Sequence, residues 1–150
     1  MKYTARKFQQ NQYDKCDSIS KKVFVEFIEN RGHTIVSKEE DYNHDIVTEK
    51  DGTYHYFELE TKRGYPFRGR ESFPFQSVSF LGRKKRLHEI KHFHYIILCW
   101  ETKYAVGCHS SDIFLEKYAQ ERHLSNKERN GLDRFYRVPK NKCYFFKSST

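Results

Sequence analysis

Residues 54–62 alternate in a strict period of two. Tyr54, Tyr56, Glu58, Glu60 and Lys62 fall on one side of an extended chain, and His55, Phe57, Leu59 and Thr61 on the other. Such alternation marks a strand, whose successive side chains point to opposite faces. Directly before it, Glu49-Lys50-Asp51-Gly52 reads as a turn, and Asp-Gly between two strand-like runs predicts a hairpin. The run from Asp45 to Thr48 supplies the other strand. A tight Asp51-Gly52 turn sets Lys50 against Thr53 and so fixes the register. Asp45 then stands opposite Glu58 and diagonal to Glu60, with Asn43 opposite Glu60 and Asp41 opposite Lys62. Opposed residues have Cβ atoms roughly 5 Å apart and diagonal ones about 7 Å.

One face of this hairpin therefore gathers Asp45, Glu58, Glu60 and Lys62, while Ile46, Phe57 and Leu59 on the other can enter a core. Like charges set against each other on a sheet repel, so three carboxylates together require a cation. A hard divalent ion such as Mg2+ meets that need with oxygen ligands at about 2.1 Å. Lys62, two residues beyond Glu60, would place an ammonium where it can orient an attacking water or stabilise a charged transition state. These parts match metal-assisted hydrolysis of a phosphodiester. The bland alternative is a solvated strand face with paired charges.

The charge distribution bears on the partner. The chain of 150 residues carries a net +8, and between Lys62 and Lys91 nine bases face only two acids, so +7 of that charge sits in one fifth of the sequence. Such a concentration suggests an anionic polymer. Arg63, Arg68, Arg70, Arg83, Lys84, Lys85 and Arg86 are the expected phosphate contacts. Tyr65, Phe67, Phe73, Phe75 and Phe80 lie among them and could stack on unpaired bases. Gly64, Pro66, Gly69, Pro74 and Gly82 interrupt the segment, so it is not one amphipathic membrane-surface helix.

The rest of the chain reads as one domain. Leu, Ile, Val and Phe make up 23% of the residues, above the roughly 20% below which chains stay disordered. No run approaches the ~20 apolar residues of a membrane span. No apolar h-region follows Met1, and Cys16, Cys99, Cys108 and Cys143 show no C-x-x-C spacing, so reduced thiols in a cytoplasmic or nucleoplasmic setting are expected. His92 and His94 read as polar positions at the start of a strand rather than metal ligands. Residues 1–16 are expected to form an arm. A helix capped by Asp17 or Ser18 runs to about Arg31, with Ile19, Val23, Phe24, Phe27 and Ile28 at helical spacing and Gly32 past its end. Thr34, Ile35 and Val36 begin a strand. Phe75 to Leu81 is a short strand, Arg83 to Lys91 a helical turn or loop, and Tyr95 to Trp100 with Tyr104 to His109 a second hairpin. A helix is expected from Ser111 with Phe114, Leu115 and Tyr118 on one face. Residues 121–133 read as loop or frayed helix, and Phe135 to Val138 and Cys143 to Phe146 as late strands.

Asp45, a turn, and then Phe57-Glu58-Leu59-Glu60-Thr61-Lys62 resemble the PD-(D/E)XK nuclease core, the restriction-endonuclease-like superfamily. There an acid on one strand is followed by an acid-x-Lys tripeptide on the next, here Glu60-Thr61-Lys62. The helix ending at Gly32 and the strand after it resemble the opening of small Holliday-junction-resolvase-like members. The resemblance covers about residues 17–64. It implies a single-domain α/β fold with a central mixed sheet flanked by helices, and a metal-dependent DNA endonuclease. Asp45 and Glu60 would bind Mg2+, which Mn2+ could replace, helped by the Thr61 main-chain carbonyl, and Lys62 would be the catalytic lysine. Many members carry a further acid on the first helix at the position of Lys21. Glu26 is the nearest substitute, with Asp17 next, and Glu58 is an additional ligand candidate. DNA is the expected partner, with RNA left open. For so small a subunit, cutting two strands would suggest a homodimer, and nicking one would not require it. The alternatives are a non-catalytic nucleic-acid-binding protein that keeps the fold, an RNA-directed nuclease, and a factor that docks on an acidic protein.

Overall fold

The computed structural model describes residues 17–37, 45–123 and 132–148. The expected arm over 1–16, Cys16, Asp41 and Asn43 lie outside the described residues.

The first helix, α1 (17–30), buries Phe24, Val25 and Ile28 on one side. It ends where Gly32 adopts a φ of +92°. The Gly32 and His33 amides then donate to the Glu29 and Ile28 carbonyls at 3.0 and 3.1 Å, satisfying acceptors that a helix end leaves open. Strands β1 (Thr34–Ser37), β2 (Ile46–Lys50) and β3 (Thr53–Lys62) follow as an antiparallel meander. Asp51 and Gly52 both take positive φ, 53° and 78°, as a two-residue hairpin turn requires. Lys50 pairs with Thr53 and Ile46 with Phe57, the register expected from the turn, so Asp45 enters β2 opposite Glu58.

Strand β5 (His94–Cys99) lies parallel to β3, and β6 (Tyr104–His109) returns antiparallel to it. The last strand, β9 (Tyr144–Lys147), completes a six-stranded mixed sheet in the order β1-β2-β3-β5-β6-β9. Parallel neighbours need a long crossover. Residues 63–93 make it, so the whole basic segment is this connection. It contains strand β4 (Ser77–Leu81), a 3-10 turn (Gly82–Lys84) and helix α2 (Lys85–Ile90). Strand β4 belongs to a second, three-stranded antiparallel sheet with β7 (Ala119–His123) and β8 (Leu132–Pro139), ordered β4-β8-β7.

The chain is thus mixed α/β, and its large sheet has different covers on its two faces. Helix α1 packs Phe24, Val25 and Ile28 against Ile46, Phe57, Ile96 and Ala105. The opposite face sets Tyr95, Ile97, Val106 and Cys108 against Val78, Phe80, Tyr136 and Val138 of the small sheet. Short helices and loops close the remainder. Cys99, Cys108 and Cys143 are buried free thiols. No helix among the described residues is long and apolar enough to cross a membrane.

Two expectations fail. The helix foreseen from Ser111 is a single turn, α3 (Ser110–Ile113), followed by a 3-10 turn at Glu116–Tyr118. Phe114, at φ −85° and ψ 56°, leaves the helical region and ends the turn. The stretch 121–133, expected as loop or frayed helix, contributes strand residues at both ends, in β7 and β8. Its polar composition suits an edge strand, which β7 is, because charges there discourage pairing with other chains.

Gly82 sits where the small sheet meets the turn. A Cβ there would press on the main-chain carbonyl of Arg134, 2.9 Å from its carbon. Gly82→Ala should therefore destabilise the fold by about 2 kcal/mol, the usual effect of overpacking, and lower Tm by roughly 6 °C. Thermal denaturation followed by circular dichroism checks this, and a parental Tm would contradict the close approach.

Candidate active site

The hairpin register brings Asp45 and Glu58 together on the face of the large sheet that meets the small one. Glu58 is almost wholly buried, at 2% exposure. A carboxylate so placed cannot stay ionised without partners. Its Oε2 accepts the Asp45 amide at 2.9 Å, and its Oε1 accepts from Lys84 Nζ at 2.7 Å. Lys84 reaches it from the 3-10 turn after β4, so this ion pair ties the crossover to β3. The Asp45 side chain turns back in kind, and its Oδ2 accepts the Leu59 amide at 2.9 Å. Burial, and then the Glu58 charge beside it, raise the Asp45 pKa above the ordinary carboxylate value. The Leu59 amide and the charges of Lys84 and Lys21 draw it part of the way back.

Glu60, two residues along the same face, has a different pair of partners. Its Oε1 accepts from the Tyr95 hydroxyl at 2.6 Å, and its Oε2 lies 2.8 Å from Lys62 Nζ. Tyr95 comes from β5 and is fully buried. Burial, followed by the Glu60 charge and hydrogen bond, pushes the Tyr95 phenol well above its usual pKa, so it remains a proton donor to Glu60. Sequence reasoning missed Tyr95. The available signal was a tyrosine in an otherwise apolar strand, since a buried phenol needs a polar partner.

The other predicted residues divide by position. Thr61 is buried and its side chain belongs to the opposite face of β3, so only its main chain can serve Glu60 and Lys62. Glu26 is exposed on α1, which covers that opposite face, and is not drawn into the cluster. The Lys21 charge, by contrast, reaches Asp45. Both Glu58 oxygens are taken by protein donors. Of the predicted phosphate contacts, Lys84 is committed to Glu58. Arg70 donates to the carbonyls of Lys140 and Cys143 at 3.3 and 2.6 Å and lies over the Phe145 ring, so it clasps the fold. Arg63, Arg68, Arg83 and Arg86 are exposed, and Lys85 is half-buried.

His94 opens β5, as expected, and His92 just precedes it. Both belong to a row of rings running His33, His55, His94, His109, His92 and His88, with centroid steps of 4.3 to 6.3 Å. Burial lowers the His94 pKa to about 4, so this ring is neutral at pH 7. Among the described residues, no group of three or more His, Cys, Asp or Glu side chains is arranged to hold a metal ion. A hard cation with several waters of its own needs only one or two protein carboxylates.

No protein-family model, curated protein or solved structure matches the chain.

Two outcomes follow from this geometry. Lys84→Met leaves the Glu58 carboxylate buried without its cation and should destabilise by about 2 kcal/mol, less than a fully sealed pair because Lys84 is partly hydrated. The Glu58→Gln/Lys84→Met double variant should recover most of that loss in urea unfolding. Asp45→Asn removes the charge opposed to Glu58 yet keeps an oxygen for the Leu59 amide. It should stabilise the fold by on the order of 1 kcal/mol at neutral pH. A raised pKa in the folded state makes the charged form costly, and that cost is absent below 3.8, the ordinary aspartate value, and complete above the raised one. The Tm advantage of Asp45→Asn should therefore grow as pH rises through this window, and an advantage independent of pH would contradict it.

Proposed function

We propose that the chain is a Mg2+-dependent DNA endonuclease with a restriction-endonuclease-like fold. The observation that carries the reading is the convergence of Asp45, Glu60 and Lys62 on one sheet face. There Glu60 is held from behind by Tyr95 and meets Lys62 in front, beside a crossover rich in Arg and Lys. The meander β1-β2-β3 after α1, and the mixed sheet built on it, support the same reading.

Hydrolysis adds water to phosphorus and breaks one P–O ester bond, leaving a phosphomonoester and an alcohol. The divalent cation, when bound, would supply positive charge at the phosphoryl oxygens and acidify water. Asp45 and Glu60 would hold it, with the main-chain carbonyl of Thr61. The Leu59 amide and the Tyr95 hydroxyl fix one oxygen of each carboxylate and so set its direction. Lys62 is more than a third exposed, within reach of a substrate phosphate, and its ammonium would orient the attacking water or balance the growing negative charge. Arg63, Arg68, Arg83 and Arg86 would bind flanking phosphates.

A second reading, a non-catalytic nucleic-acid-binding protein with the same fold, draws on one observation: Glu58 and Glu60 each have a lysine partner already. One experiment separates the two. The protein is incubated with supercoiled, single-stranded and branched DNA and with RNA, with Mg2+, with Mn2+ and with EDTA. The nuclease reading expects cleavage that EDTA stops. Lys62→Ala and Asp45→Ala should each lower the rate by about a hundredfold or more while duplex binding persists and the protein stays folded. Parental cleavage by both variants, or binding with no cleavage under any condition, would overturn it.

A further inference from the structure

Beside Lys62 the crossover forms a pocket of about 340 Å3, lined by Lys62, Tyr65, Phe73, Phe75, Ser77 and Arg137 among others. Its wall is aromatic. The Phe75 ring meets Tyr65 edge-on at 5.4 Å and Phe73 at 5.9 Å, yet remains 53% exposed. An aromatic ring propped by two neighbours and open on its free side is a stacking platform. Its floor is β4, through Ser77, Val78 and Ser79, whose two hydroxyls offer hydrogen bonds. The rim carries two cations, Lys62 and the exposed Arg137. Among the described residues Arg137 has no ion pair or side-chain hydrogen bond. A positive rim over an aromatic wall and a hydrogen-bonding floor fits one chemical unit, a base attached to a phosphate.

The platform is built in advance. The segment carrying it has little regular structure but is anchored at several points. Phe67 and Phe73 are buried, and the Gly64 amide donates to Glu101 at 3.0 Å. Thr102 donates to the Phe67 carbonyl at 2.6 Å, and Arg70 clasps the chain before β9. A ligand entering such a pocket loses little affinity to ordering the protein.

We infer that this pocket binds an unpaired nucleotide, with its base on Phe75 and Tyr65 and its phosphate between Lys62 and Arg137. The inference rests on the nuclease reading for its meaning, because Lys62 belongs to both sites. A base in this pocket cannot at the same time be stacked in a duplex, so the substrate is a strand unpaired beside the phosphate that Lys62 meets.

The test is binding in EDTA, where cleavage plays no part. A short fluorescein-labelled oligodeoxyuridylate, the matching oligouridylate and a duplex of the same length are titrated into the full chain and followed by anisotropy. The single strands should bind more tightly than the duplex. Phe75→Ala and Phe75→Leu should weaken single-strand binding by about tenfold, the usual effect of losing one stacking platform, and leave duplex binding unchanged. Phe75→Trp should retain it, and Arg137→Ala should weaken it with a smaller salt dependence. Phe75 is about half exposed and Arg137 is exposed, so each variant should stay folded, with at most a small loss of Tm. Loss with either oligomer supports the pocket and identifies the sugar it accepts. Parental single-strand binding by Phe75→Ala, or no single-strand binding by the parent, overturns the pocket whatever the cleavage assay finds. Stacking without cleavage would fell the nuclease reading and leave the pocket standing.

Discussion

The buried Glu58 carboxylate is the constraint around which the site is built. A charge at 2% exposure must be met by donors, and among the described residues these come from different parts of the chain, the Asp45 amide and the Lys84 ammonium. The Asp45 amide fixes the start of β2 against β3. The Lys84 ammonium fixes the end of the small sheet against the large one. Losing either strips a buried ion of one of its donors, so the geometry of the hairpin and the path of the crossover depend on the same carboxylate. Gly82, two residues before Lys84, allows that path by letting the chain pass against Arg134 without a side chain between them.

From that anchor the two faces of β3 divide the work. Phe57 packs beneath α1 in an apolar layer. Glu58, Glu60 and Lys62 face the seam between two sheets. A sheet-on-sheet seam is closed at its centre by Tyr95, Phe80 and Tyr136 and opens toward the end of β3, where Lys62 and the aromatic pocket lie. Polar groups near the centre are consequently fixed and those near the mouth are accessible. Tyr95 illustrates the first case, with its ring fully buried, its hydroxyl spent on Glu60 and burial holding its proton in place.

Much of this was legible in the sequence because it depends on local rules. Alternation gave the strand faces, Asp51-Gly52 gave the turn, and the turn gave the register that sets Asp45 against Glu58. Gly32 marked the end of α1 for the same reason, since only a residue at ease with positive φ closes a helix there. What was not legible depends on contacts between distant segments. Nothing local distinguishes Lys84 from Lys85, yet one is bound to a buried carboxylate and the other is not. Arg70 reads as a phosphate contact until the chain 70 residues later brings carbonyls to it. The second sheet was missed at β7 because an edge strand carries polar residues, which also mark loops.

The same contrast sorts the two lysines of the candidate site. Lys84 and Lys62 each sit within 3 Å of a glutamate, so distance alone makes them equivalent. Their surroundings do not. Lys84 compensates a carboxylate whose side chain is 3% exposed, and moving it away would strand that charge in the interior. Lys62 is 36% exposed and its partner Glu60 is 17% exposed, with Tyr95 supporting Glu60 independently. An exposed ion pair contributes little, so under the proposed function an arriving phosphate would take Lys62 at small cost. Taking it would also release the second Glu60 oxygen for a cation. An exchangeable lysine and a locked one are thus the physical difference between a residue that can act on a substrate and one that holds the site in shape.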